Sequence, residues 1–364
     1  MIPIARPFIS EEEKRAVIEV LDTGMLAQGP KVNEFENKLA NFCKLKFACA
    51  LNSGTAGLHT ALHVIGVKKG DEVITTPFTF IATANSILMQ GAKPVFVDIN
   101  PDTFNIDSGC IEDSITKNTK AIMTVDLYGN LCCYREINRI AKDNRLFVIE
   151  DACQAIGAEF KHKKAGSFGD IGVFSFYATK NITCGEGGAI VTNNGNYAKK
   201  TKLFRQHGMS ALGIYDYNDI GYNYRMSDIN AAILIEQLKK IDMLTKKRIE
   251  NARYLSEELS GISGIHAPHV EKGFKHVFHQ YTIKVKGFKL SRDKLFNYLR
   301  KKGIGCNIYY PKPLHLCKKF RKIGYKKRDF PIAEKISKEV LSLPVHPLLN
   351  KDELNFVVKT IKEI

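Results

Sequence analysis

Through the first two-thirds of this 364-residue chain, short apolar runs alternate with stretches whose apolar residues recur every three or four positions. The runs at 72–76, 94–97, 121–125 and 146–149 have strand length. The stretches between them read as helix, as do 10–21, which ends near Gly24, and 30–43, where Val32, Phe35, Leu39 and Phe42 share one face. Parallel strands need long crossovers, and helices supply them. The alternation therefore predicts an α/β fold: an α/β/α sandwich with a mostly parallel sheet. Such sheets place ligands beyond the carboxyl ends of their strands. Near Ser227 the pattern changes to one long helix over 227–259. Beyond Gly261, strands around 277–285 and 305–310 and a helix at 291–302 predict a smaller α+β unit. The length favours two domains, here a large one over 1–240 and a small one over 241–364.

Composition narrows the function classes. The hydrophobic fraction of 44% and charged fraction of 25% describe an ordinary soluble protein. The longest apolar runs, such as Ala231–Ile235, are too short to span a bilayer, so no membrane partner is expected. Residues 1–7 show no basic segment leading into an apolar one, so no secretory signal is expected. Nine cysteines lie scattered, with Cys132 and Cys133 adjacent, a poor arrangement for disulfides or zinc. A reducing cytoplasm fits. The net charge of +16 raises nucleic-acid binding, but the lysines are spread along the chain in pairs such as Lys199-Lys200 and Lys326-Lys327. No arginine-rich arm or aromatic RNA-binding motif accompanies them, so no nucleic acid is expected. A basic cleft would still attract an anionic substrate.

Candidate chemistry sits where apolar runs end. Lys180 follows Phe174-Ser175-Phe176-Tyr177-Ala178-Thr179 and precedes the turn Gly185-Glu186-Gly187-Gly188. A lysine withdrawn from water loses its proton more readily and becomes a nucleophile for carbonyls. The small residues Ser53-Gly54-Thr55-Ala56-Gly57 lie between a strand and a helix, where freed N–H groups can hold a phosphate, although such turns also serve as plain connectors. The apolar run Val148-Ile149 ends in Glu150-Asp151. A carboxylate there suits a metal, a general base, a cationic ring nitrogen or a helix N-cap. No histidine or carboxylate cluster is paired with it, so no metal is expected. Phe80, in Thr79-Phe80-Ile81-Ala82-Thr83, is placed to stack on a planar ring or to fill the core. A phosphate cradle, an acid, a stacking aromatic and an amine at the strand ends of one sheet are together what pyridoxal 5'-phosphate requires.

The chain resembles the DegT/StrS-type sugar aminotransferases, a branch of the fold type I pyridoxal-phosphate enzymes. The matching stretches include Leu26-Ala27-Gln28-Gly29-Pro30, Asn52-Ser53-Gly54-Thr55-Ala56, Glu150-Asp151-Ala152-Cys153-Gln154-Ala155, Phe174–Lys180 and Gly185–Gly188. Arg205-Gln206-His207-Gly208, Gly221–Ser227 and Tyr310-Pro311 with Leu314-His315 extend the match over essentially the whole chain.

The resemblance implies residue-specific roles. Lys180 would bind the cofactor aldehyde and shuttle a proton. Asp151 would pair with the ring nitrogen, Gln154 would meet the ring's hydroxyl side, and Phe80 would cover the ring. Gly54, Thr55 and Ser175 would hold the phosphate. Asn223 would reach the neighbouring subunit's cofactor, implying a homodimer with shared active sites, and Tyr310 and His315 would contact a sugar nucleotide. The implied reaction moves an amino group, from glutamate in the first instance, to a nucleotide-linked 4-keto-6-deoxy or 3-keto sugar. A keto-cyclitol aminotransferase and a non-catalytic sugar-nucleotide-binding protein are the alternatives. Cys153, Ile156 and Asp126 stand where the family often has alanine, histidine and histidine, and are expected near the cofactor or substrate. A dehydratase branch of the family carries histidine at the lysine position, and Lys180 argues against it.

Overall fold

The computed structural model describes residues 1–209, 215–217 and 219–364. Its centre is a seven-stranded sheet in the order Phe47–Leu51, Gly188–Thr192, Ile171–Ser175, Phe147–Asp151, Thr119–Val125, Glu72–Thr75, Lys93–Phe96. Neighbouring pairs are parallel from Ile171–Ser175 through to Lys93–Phe96. Gly188–Thr192 alone runs against both of its neighbours.

Each strand sends alternate side chains to opposite faces, and both faces are buried. Ile74, Ile122, Val148, Phe174 and Val191 enter one core with Val32, Phe35 and Leu39 of the helix Pro30–Cys43. Val73, Met123, Ile149, Val173 and Ile190 enter the other with Leu58 and Leu62 of the helix Gly54–Val64. This double burial is why the strands read as apolar runs rather than as an apolar–polar alternation.

The helix Asp228–Leu259 runs unbroken for 32 residues, about 48 Å at the usual rise. Its first half packs Leu234, Ile235, Ile241 and Leu244 on the large core. Its second half packs Ala252, Leu255 and Leu259 on another core, built round the sheet Ile265–His266, Tyr281–Val285, Val340–Leu343. Position 240 thus lies inside a continuous helix. The N-terminal segment joins the second core, since Ile2 pairs with Ile304.

Two expectations for the C-terminal part change. Residues 305–310 form no strand, because their backbone is shared between two partners. Gly305 N–H bonds Ile2 at 2.7 Å, and only Asn307 bridges to Ser342. Val340–Leu343 is instead the strand that pairs with Tyr281–Val285. Residues 277–280 leave the strand expected from 277 onward and dock on the large domain, with Val277 N–H to Gly129 O at 3.0 Å and Gln280 N–H to Tyr128 O at 3.2 Å.

Candidate active site

A cavity of about 640 Å³ opens where five same-direction strands end. Each strand hands over to a wall. Phe47–Leu51 leads to Ser53, Gly54 and Thr55, and Glu72–Thr75 leads to Thr79, Phe80 and Thr83. Thr119–Val125 leads to Tyr128, Phe147–Asp151 to Asp151, Cys153 and Gln154, and Ile171–Ser175 to Ser175, Tyr177 and Lys180.

The cradle at Ser53–Thr55 begins the helix Gly54–Val64, in which Ser53 Oγ accepts from Ala56 N at 3.1 Å. A helix leaves its first N–H groups without intrahelical partners, so those of Gly54 and Thr55 stand at the cavity wall, ready for an anion. Glycine is required at two places here. A Cβ on Gly54 would lie 2.8 Å from Ser175 Cβ and 3.0 Å from Cys153 Sγ, and one on Gly188 would lie 2.3 Å from Ser53 O.

Lys180 sits five residues past its strand, fixed by its N–H to Tyr177 O at 2.9 Å and by the buried Phe176, whose N–H bonds Gly187 O at 2.8 Å. Burial pulls its pKa below the ordinary lysine value, which favours the free amine that attacks carbonyls. Asp151 ends its strand almost wholly buried. Burial pushes its pKa up, while the Cys153 thiol, Thr83 Oγ1–H at 2.9 Å, Cys153 N–H at 3.3 Å and the charge of Lys180 push it back down.

Gln154 is held at both ends of its amide, accepting from Tyr128 N at 2.9 Å and donating to the Tyr310 hydroxyl at 3.3 Å. Phe80, at the start of the helix Ile81–Met89, is 56% exposed at the cavity edge and faces Tyr310 at 6.4 Å between ring centroids. An aromatic left this open beside a cavity suits stacking on a flat ligand.

Of the residues expected from sequence, Gly54, Thr55, Phe80, Asp151, Gln154, Ser175, Lys180 and Tyr310 line this cavity. Asn223 does not; it is exposed outside its own chain's cavity, its carbonyl accepting from Asn52 Nδ2 at 3.2 Å. His315 does not line the cavity either. Its side chain is fully buried, with Nε2 3.1 Å from Glu334 and its ring edge-on to Phe330. Of the three departures from the family pattern, Cys153 lines the cavity. Ile156 is buried in the large core and Asp126 is buried against Tyr134, so neither lies at the cavity wall. The sequence reading missed Thr83, Tyr128, His279, Gln280 and Tyr309, all of which line the cavity. Burial, and then the charges of Lys180 and Arg248, push the pKa of His279 well below the ordinary histidine value. Among the described residues no cluster of three or more His, Cys, Asp or Glu side chains is placed to hold a metal. Among the described residues no helix is long and apolar enough to cross a membrane.

Residues 7–362 match the DegT/DnrJ/EryC1/StrS aminotransferase family. The chain belongs to this family. It is 37% identical to the GDP-perosamine synthase of Caulobacter vibrioides over 366 residues, covering 100% of this chain and 98% of that one. It superposes on PseC of Helicobacter pylori, an aminotransferase involved in the biosynthesis of pseudoaminic acid, with a TM-score of 0.94 and 33% identity, covering 100% and 98% of the two chains. It also superposes on the PMP-form of Spr1654 from Streptococcus pneumoniae with a TM-score of 0.95 and 30% identity, covering 100% and 97%. The protein is an aminotransferase dependent on pyridoxal 5'-phosphate, with the fold type I architecture. The cavity fits that cofactor: Gly54, which has no room for a Cβ against Ser175 and Cys153, lies at a helix N-terminus, and a buried acid and a half-buried amine face the same space.

Proposed function

We propose that this aminotransferase moves an amino group from an amino acid, L-glutamate, to the ketone of a nucleotide-linked sugar of the 4-keto-6-deoxy or 3-keto type, for amino-sugar and surface-glycan synthesis. The observation that carries the reading is the meeting of Lys180 and Asp151 in one cavity with the Gly54–Thr55 helix start. A GDP-perosamine synthase and PseC, an aminotransferase involved in the biosynthesis of pseudoaminic acid, support the substrate class. The cavity's volume lies within the range of small-molecule sites.

Bound pyridoxal phosphate supplies an electron-withdrawing ring that stabilises negative charge on the substrate carbon. The chain's own residues do the rest. Gly54, Thr55 and Ser175 hold the phosphate, and Phe80 covers one ring face. Asp151 keeps the ring nitrogen protonated, and Gln154 meets the ring's hydroxyl side. Lys180 would hold the cofactor through its aldehyde and, as a free amine, move a proton at the substrate carbon. Tyr310 contacts the sugar nucleotide; His315, sealed against Glu334, does not. Asn223, exposed outside its own cavity, reaches the cofactor of a second subunit, making a cytoplasmic homodimer with shared sites.

Two half-reactions predict ping-pong kinetics. Borohydride reduction of the yellow holoenzyme followed by peptide mapping should place the cofactor on the peptide carrying Lys180. Labelling elsewhere refutes the assignment. Glutamate alone should convert the bound cofactor to its amine form, and a panel of UDP-, GDP- and dTDP-linked keto sugars should return it. Return by keto-inositols and not by any sugar would move the substrate to the cyclitols. No glutamate half-reaction at all would mark a non-catalytic binder.

A further inference from the structure

Behind Asp151 lies a pair of buried hydroxyls. Thr83 Oγ1 is 2.9 Å from Asp151 Oδ2, and Thr79 Oγ1 is 3.1 Å from Thr83 Oγ1. None of the three is more than 5% exposed. An ionised carboxylate only accepts hydrogen bonds, and a hydroxyl has one hydrogen to give. Thr83 must therefore spend its hydrogen on Asp151, which leaves it only as an acceptor toward Thr79. The chain of bonds is thus polarised in one direction, Thr79 to Thr83 to Asp151. The other carboxylate oxygen accepts from the Cys153 N–H at 3.3 Å, and the Cys153 thiol is a further side-chain partner of the carboxylate.

This arrangement answers an electrostatic need. Burial by itself drives a carboxyl group toward its neutral form, and a neutral Asp151 could not hold a ring nitrogen protonated. Donors aimed at the charged form oppose that drift, and each hydroxyl in the chain strengthens the next. The bond also fixes the carboxylate plane, since Thr83 belongs to the first turn of the helix Ile81–Met89 and moves with it.

We propose that Thr83, backed by Thr79, is a positioning residue that keeps Asp151 ionised and aimed at the cofactor's ring nitrogen. This rests on the reading that Asp151 pairs with that nitrogen, and the experiment separates the two. The full-length apo-protein is titrated with pyridoxal 5'-phosphate and with its 1-deaza analogue, in which CH replaces the ring nitrogen. The quantity read is the ratio of the two dissociation constants, so that changes in cavity shape affecting both ligands cancel. Wild type should bind the natural cofactor more tightly; equal affinities would refute the role of Asp151 itself. Thr83→Val should reduce the ratio by about tenfold, the size of a hydrogen bond to a charged acceptor. Thr83→Ser should restore it, and Thr79→Val should reduce it by a smaller factor. Thermal melts of each apo-variant check that it is folded. If folded Thr83→Val keeps the wild-type ratio, or if Thr83→Ser falls as far as Thr83→Val, the proposal is overturned.

Discussion

Asp126→Asn should make the protein more stable, and increasingly so as pH rises. Asp126 is fully buried. Its Oδ1 accepts from Cys132 N at 2.9 Å and from the Tyr134 hydroxyl at 2.9 Å. Its Oδ2 meets no donor among the described residues, and the Glu150 carboxylate lies against it. Glu150 is the better-supplied partner, accepting from Gly166 N and from Phe168 N at 2.8 Å. Two buried carboxylates in contact cannot both ionise cheaply, so Asp126 keeps a proton, its pKa raised well above the ordinary value by burial and then by Glu150. In the unfolded chain that proton leaves near pH 4. The folded state therefore binds one more proton than the unfolded state, and stability falls as pH rises from there toward the folded-state pKa. The slope is about 1.4 kcal/mol per pH unit for one such proton. An asparagine presents the same acceptor to Cys132 and Tyr134 and a permanent N–H to Glu150, with no proton to lose. The stability gap between variant and wild type should thus widen as pH rises from about 5 toward 7, at no more than that slope. Urea unfolding of the two apo-proteins across that range measures it. A gap that stays flat, or narrows, would show that Asp126 is ionised in the folded protein and that the shared-proton account is wrong.

Gly54→Ala places a Cβ 2.8 Å from Ser175 Cβ at the helix start, so it should weaken pyridoxal-phosphate binding by at least about tenfold in a fluorescence titration while melting within a few degrees of wild type. His315→Leu should lower stability by about 2 kcal/mol through loss of the bond to Glu334, yet leave the sugar-nucleotide KM unchanged. A raised KM with unchanged stability would return His315 to the substrate site. Glu36→Gln removes one charge from the buried pair with Arg205, and should cost about 3 kcal/mol or more in urea unfolding.

The site residues that could be read from sequence share one geometric property. Gly54, Phe80, Asp151 and Lys180 each follow closely on a strand of one sheet, and in a parallel sheet all such positions fall on one edge. Local patterning therefore brought together side chains more than a hundred residues apart without any knowledge of the tertiary contacts. His279 and Gln280 obey no such rule. They reach the cavity because residues 277–280 leave their own strand to bond the backbone of 128–129, a contact spanning some 150 positions that no local period encodes. His315 failed in the opposite way. Its neighbours match a family motif, but Glu334 and Phe330, on a later segment, draw the ring into the protein. Thr83 lies between these cases. Its helix is legible, yet its bond to Asp151 depends on how the Phe80–Thr83 turn lies over a strand tip 68 residues away. Local pattern thus locates the edge where chemistry occurs, whereas the residues that tune it are placed by contacts between distant segments. A substitution far outside every recognisable motif, such as one that loosens Val277 from Gly129, should for that reason disturb the site as much as many within it.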